Sequence, residues 1–137
     1  MNLVEIAESK YQVVAIMDGD TCPAFDFILK GEASTRSVRE GLAQMIEVVS
    51  EKGLQDVPAA WWHEASKNDR IYEFIKGPLR LFFFKGEGGQ IAVCTTGIRK
   101  NGQKADKASV KKAACFREQY YEAQAGNTLR VVDYGTE

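Results

Sequence analysis

The sequence predicts an α+β fold: an N-terminal strand and a helical hairpin packed on a small antiparallel sheet, with a C-terminal helix. Three observations carry this expectation. Residues 34–52 place apolar side chains at three- and four-residue spacing, the mark of one helix face. Residues 70–96 switch to short β-branched and aromatic runs broken by "KGP" and "KGEGG". Residues 108–123 then return to helical spacing.

The elements follow in chain order. Residues 11–17, "YQVVAIM", are β-rich and short, and "DGD" closes them as a turn. Residues 21–30, "TCPAFDFILK", read as a short helix. Thr21 is its expected cap, Pro23 fits a first turn that needs no N–H, and Gly31 stops it. In the longer helix of residues 34–52, Val38, Leu42, Met45, Ile46 and Val49 share a face. Ser37 and Glu40 have capping-box spacing, and Gly53 is a natural residue just past the end. "GEAS" joins the two helices into a hairpin. Residues 54–69 are irregular, with Pro58 and "WWHEASKND". Strands follow at 70–75, 79–85 and 90–96, as a three-stranded antiparallel meander. "RKNGQKADKAS" reads as a basic loop, and the tail "GNTLRVVDYGTE" has room for a short strand.

At 137 residues the chain is expected to be one domain, with a core of about residues 10–123 and a tail of 124–137. It is 45% apolar and 27% charged, as ordinary globular proteins are. No apolar run approaches the roughly 20 residues of a membrane-spanning helix. "MNLVEIAESK" has two glutamates and no basic lead, so a secretory signal is not expected and a cytoplasmic location is. Cys22, Cys94 and Cys115 are widely spaced, with no CxxC, and are expected to be free thiols. The carboxylates show no metal-ligand pattern, so no metal or other cofactor is expected.

The net charge of −1 conceals an asymmetry. Residues 70–121 hold eleven Lys/Arg against four acids, a balance of +7. A cationic face for a polyanion is one reading, and a solvated charged surface is the other. The "GEGG" stretch does not fit a phosphate cradle. Such a loop must open a helix so that its N–H groups face the anion, whereas "QIAVC" continues as strand. A hairpin turn is expected there.

Arg80 lies in "LRLFFF". Alternation places Arg80, Phe82 and Phe84 on one strand face, and Leu79, Leu81 and Phe83 on the face that packs on helices. A guanidinium beside those rings offers a rigid fork of donors suited to phosphate. The alternative is a salt bridge to an acid such as Glu73 on the neighbouring strand.

In these residues the chain resembles the RelE/ParE toxin superfamily, in its phage-derived HigB-like branch. The resemblance rests on Tyr72-Glu73, Arg80, "IAVCTTGIRK" and "SVKKAACFREQYY", in that order, and covers roughly residues 10–123. It implies a compact RelE-like toxin of a bacterial type II toxin–antitoxin system, held inactive by a cognate antitoxin that is often a helix-turn-helix protein. Many members cut translated mRNA on the ribosome without a metal, while others inhibit DNA gyrase. A phage-derived domain that keeps the fold as an inactive regulatory or binding module is a third possibility.

Metal-free RNA cleavage uses the 2′-OH as nucleophile. It needs fixed cations for the phosphorane, a base for the 2′ proton and an acid for the leaving oxygen. Arg80 matches the family's catalytic arginine. Lys76, Tyr120 and Tyr121 are the proton-transfer candidates, and one tyrosine of the pair is expected in the core. Arg99, Lys100 and Lys104 stand where relatives place phosphate-binding loop residues. Two departures stand out. Ile98 precedes Arg99-Lys100 where relatives carry an aromatic, and Ala105-Asp106 follows Lys104 where they carry threonine-proline. Asp106 caps the last helix or serves as a base. His63 reads as a loop histidine, and Trp61 and Trp62 as loop anchors, with acid/base or base-stacking roles as the alternatives.

Overall fold

The computed structural model describes residues 1–100 and 106–135. Within them three α-helices flank one seven-stranded mixed sheet. The strands are β1 (Asn2–Glu8), β2 (Gln12–Ile16), β3 (Trp62–Ser66), β4 (Ile71–Lys76), β5 (Leu79–Phe84), β6 (Gln90–Arg99) and β7 (Arg130–Val132). The helices are α1 (Pro23–Leu29), α2 (Arg36–Lys52) and α3 (Lys107–Ala125). Across the sheet the order is β3-β4-β5-β6-β2-β1-β7.

The α+β class holds, but the small antiparallel sheet does not. The meander β4-β5-β6 forms as expected. β2 then joins β6 in parallel, and β7 joins β1 in parallel. Two strands, β1 and β3, are absent from the sequence expectation. In β1 a bulge between Glu5 and Ala7 breaks the alternation, so its apolar residues do not fall at period two. β3 is an edge strand whose His63 and Glu64 are exposed, and charged edges look like loops.

Both faces of the sheet are covered. Val13, Ala15, Phe74, Leu81, Phe83 and Cys94 pack with Ala24 and Ile28 of α1 and Leu42, Ile46 and Val49 of α2. On the other face, Val14, Ile71, Phe82, Phe84 and Val93 pack with Val110, Ala113, Phe116 and Tyr120 of α3. A strand buried on both sides reads as a continuous apolar run, which accounts for "LRLFFF". Phe83 stacks on Phe74 at 4.1 Å between ring centroids. Burial of each such ring contributes roughly 1.5–3 kcal/mol.

The helix ends differ in part from expectation. Cys22, not Thr21, holds the cap position of α1, and the Thr21 hydroxyl instead donates to the Asp18 carbonyl at 3.1 Å. Pro23 does begin the helix. α2 starts at Arg36, so Ser37 and Glu40 lie inside it. Glu40 pairs with Arg36 at 3.2 Å rather than closing a capping box. Gly53 ends α2 with φ of 88°. Arg39 sews the hairpin together, donating to Thr35 Oγ1 at 3.0 Å and to the carbonyls of Glu32 and Ile28. α1 lies so close to β6 that a Cβ at Gly97 would overlap the Phe27 ring.

The tail is part of the fold. β7 closes the sheet, and the Tyr134 hydroxyl reaches both oxygens of Asp26 at 3.0 Å. Among the described residues no helix is long and apolar enough to cross a membrane. Cys22 and Cys94 are buried and Cys115 is exposed, all as free thiols.

Candidate functional site

Arg80 stands near the start of β5, beside the β4–β5 turn, on the face that α3 covers. Its Nη1 donates to the carbonyls of Gly77 at 2.7 Å and Leu79 at 2.9 Å. These bonds fix the guanidinium plane against the turn. Its Nε lies 3.6 Å from Glu73 Oε1, a charge contact too long for a hydrogen bond. Of the two alternatives raised by the sequence, the ion pair with Glu73 is therefore present.

Glu73 is the centre of the arrangement. Its side chain is 3% exposed, so its charge needs partners. Arg80 is one. The other is His63, whose Nε2 lies 3.1 Å from the same oxygen. The strand pairing explains the meeting: His63 on β3 is directly opposite Glu73 on β4. Glu73 in turn is opposite Phe82, two residues along β5 from Arg80. All three side chains thus share one sheet face. The His63 Nδ1 lies 3.0 Å from the Glu64 carbonyl. Both ring nitrogens face acceptors, and both contacts become hydrogen bonds only when both nitrogens carry protons.

A bulge in β6 lies next to this row. The register passes from Leu81–Gly97 to Phe83–Cys94, so Thr95 and Thr96 together oppose Phe82. The Thr95 hydroxyl donates to the Phe82 carbonyl at 3.2 Å. Arg80 Nε and Thr96 Oγ1 are the buried side-chain polar atoms without a hydrogen-bond partner among the described residues. Such atoms are rare in folded proteins.

The other expected site residues divide into two groups. Lys76, Arg99 and Lys100 gather with Arg80 at the β4–β5 end of the sheet. Lys76 pairs with Leu79, which pairs with Arg99, and Lys100 N–H donates to the Pro78 carbonyl at 2.7 Å. Pairing places Lys76 and Arg99 on the α2 side, opposite to Arg80. Lys76 lies across Gly41 of α2, where an added Cβ would meet its Cε at 2.7 Å. Lys104 lies outside the described residues.

Tyr120 and Tyr121 stand at the other end of β5, five residues from Arg80, or roughly 16 Å along the strand. Tyr120 is fully buried. Its hydroxyl donates to Gln90 Oε1 at 2.5 Å and accepts the Glu87 N–H at 3.1 Å. The Tyr121 hydroxyl donates to the Lys85 carbonyl at 2.6 Å. Burial pushes both phenols above their ordinary pKa. Together they tie the β5–β6 turn to α3, so the pair is remote from the arginine it was expected to serve. "GEGG" is that turn, as expected. Gly86 is required there, because a Cβ would fall 2.8 Å from the Tyr120 hydroxyl.

Asp106 occupies the cap position of α3, and its carboxylate accepts the Ser109 hydroxyl at 2.7 Å. Trp62 is an anchor: its indole N–H donates to the Leu54 carbonyl at 2.8 Å, and Lys85 covers its ring. His63 is the residue that sequence reasoning passed over. The signal was the turn-forming "SKND" between "WWHEA" and "RIYEF", which makes a hairpin of the two runs. Among the described residues no group of three or more His, Cys, Asp or Glu side chains forms a metal site.

Chemically, the row offers an oriented cation, a buried carboxylate and a half-exposed imidazole. Comparison of the chain with protein-family models and with curated proteins finds no match.

Proposed function

We propose that the chain is the toxin of a type II toxin–antitoxin pair, of the RelE/ParE superfamily in its HigB-like branch. In this reading it is a metal-independent endoribonuclease acting on translated mRNA. The observation that carries the reading is Arg80, fixed by two turn carbonyls and by Glu73 at the sheet end that also holds Lys76, Arg99 and Lys100. The order β2–α1–α2–β4–β5–β6–α3, to which this chain adds β1, β3 and β7, supports it as well, since it follows the arrangement that the resemblance implies.

Arg80 contacts the scissile phosphate and stabilises the charge that builds as the 2′ oxygen attacks phosphorus. The 5′ oxygen leaves with a proton, and the products are a 2′,3′-cyclic phosphate and a 5′-hydroxyl. The two tyrosine hydroxyls are committed to the β5–β6 turn, so proton transfer falls to other groups. His63, on the Arg80 face, is the candidate, since pairing puts Lys76 on the opposite face of the sheet. The cognate antitoxin, of the helix-turn-helix kind, silences the toxin.

The test is induction in a bacterial host with mRNA 5′ ends mapped, and Arg80→Ala alongside. Cleavage within translated frames that the variant abolishes is the expected result. Growth arrest with intact mRNA would move the target to gyrase or another protein. Neither arrest nor cleavage would mean a domain of this fold without toxin chemistry.

A further inference from the structure

A second cationic feature lies apart from Arg80. Two adjoining cavities, of about 390 and about 430 Å³, run between α3 and the turn that joins β3 to β4. Asp69 and Ala114 line both, so the two form one groove. Its cations are Lys107, Lys111 and Arg117 from α3 and Arg70 from the turn. Its acids are Asp69 and Glu118, which leaves an excess of two positive charges. The Asp69 carboxylate already accepts the Ser66 hydroxyl at 3.0 Å. Along the helix, Lys107 and Lys111 are about 6 Å apart, and Lys111 and Arg117 about 9 Å. That spacing suits successive phosphates of an extended strand rather than one compact anion.

The backbone gives an independent observation. Arg70 has φ of 56°, a left-handed conformation that glycine adopts freely and that crowds the Cβ of any other residue against the backbone. It is the last residue of the turn, and its N–H bonds the Lys67 carbonyl at 3.3 Å. Glycine or asparagine is the residue such a position favours. The other non-glycine in this conformation among the described residues, Asn127, is of the favoured kind. An arginine here holds a strained backbone and adds a cation to the groove beside Arg117. Strain kept against folding preference is concentrated at working sites.

We propose that this groove binds the sugar-phosphate backbone of single-stranded RNA, as a contact separate from the Arg80 row. The choice of RNA over other polyanions rests on the nuclease reading above. The guanidinium of Arg117 stacks over the Tyr121 ring at 4.9 Å, which restrains its side chain. Lys107, Lys111 and Arg70 are exposed and available to phosphates.

The test is fluorescence anisotropy of a labelled single-stranded RNA of mixed sequence, titrated with the full chain over a salt series. Its partner is the triple variant Arg70→Gly, Lys107→Ser, Lys111→Ser. Each lost phosphate contact flattens the plot of log affinity against log salt by about 0.7, so the triple variant should be shallower by roughly 2. Thermal melts accompany it. Arg70→Gly alone should raise the melting temperature by roughly 3–7 °C while weakening RNA binding. An unchanged slope and affinity in the triple variant overturns the proposal, as does a wild-type chain that does not bind the RNA at low salt. Because no ribosome is present, the groove is tested apart from cleavage. Groove-dependent binding alongside intact mRNA in induced cells would uphold the groove and overturn the nuclease reading. Cleavage in cells with an unchanged slope would do the reverse.

Discussion

Arg80→Ala should destabilise the fold as well as abolish the proposed cleavage, and the two effects can be separated. The variant removes the guanidinium beside Glu73, whose carboxylate is 3% exposed, and leaves the His63 imidazole in contact with it. Removing one member of a fully buried ion pair costs about 3–5 kcal/mol, because the other is left buried and uncompensated. Two features of this site reduce that figure. The Arg80 side chain is 17% exposed, and His63 remains 3.1 Å from the Glu73 carboxylate. Against that, the turn carbonyls of Gly77 and Leu79 lose their guanidinium donor. The expected loss is therefore roughly 2–3 kcal/mol, read from urea unfolding at neutral pH. Removing the buried charge as well should recover most of it. Glu73→Gln combined with Arg80→Ala should unfold within about 1 kcal/mol of the wild type, so the cycle is strongly non-additive. The double variant then serves as the control for the nuclease assay, because it is folded and lacks the guanidinium. Additive single and double changes, or a fully stable Arg80→Ala, would show that Glu73 is not held by Arg80 and remove the basis for a positioned guanidinium.

Two further outcomes test the framework. Burial raises the pKa of Tyr120 and, with help from the Glu87 charge, that of Tyr121, so the folded chain holds both protons more tightly than the unfolded chain. Their contribution is whole below the ordinary phenol value of about 10 and falls as pH rises from there through the folded values. Tyr120→Phe and Tyr121→Phe should each flatten that alkaline decline in chemical-denaturation stability, and an unaltered decline in both would contradict the placement of the hydroxyls. Gly97→Ala drives a methyl into the Phe27 ring and should cost about 1–3 kcal/mol. Pairing it with Phe27→Ala should make the glycine change nearly silent, and equal costs in both backgrounds would mean that α1 does not lie on β6.

The elements with unbroken periodicity were legible in the sequence. α2 and the meander stand where their apolar spacing puts them, because tertiary contacts there agree with local preference. What the sequence hid were elements whose pattern another feature interrupts. The bulge at Glu5–Ala7 spoils the alternation of β1, and the exposed His63 and Glu64 make β3 resemble a loop. The parallel joining of β2 to β6 and of β7 to β1 leaves no local mark at all, since it pairs segments far apart in sequence.

How far the placement of the candidate residues could be read from the sequence has one physical reason. Arg80 and its partner Glu73 lie on neighbouring strands of a short hairpin, so period-two alternation and a five-residue register were enough to bring them together. The tyrosines lie on a helix that crosses the sheet, and no strand periodicity tells which end of β5 they reach. Their hydroxyl bonds to Gln90 and to the Lys85 carbonyl place them at the far turn. His63 stands beside Glu73 instead, on an edge strand whose exposed residues read as a loop. A carboxylate buried between an arginine and a histidine orients both, so the geometry of this sheet end turns on Glu73 as much as on Arg80.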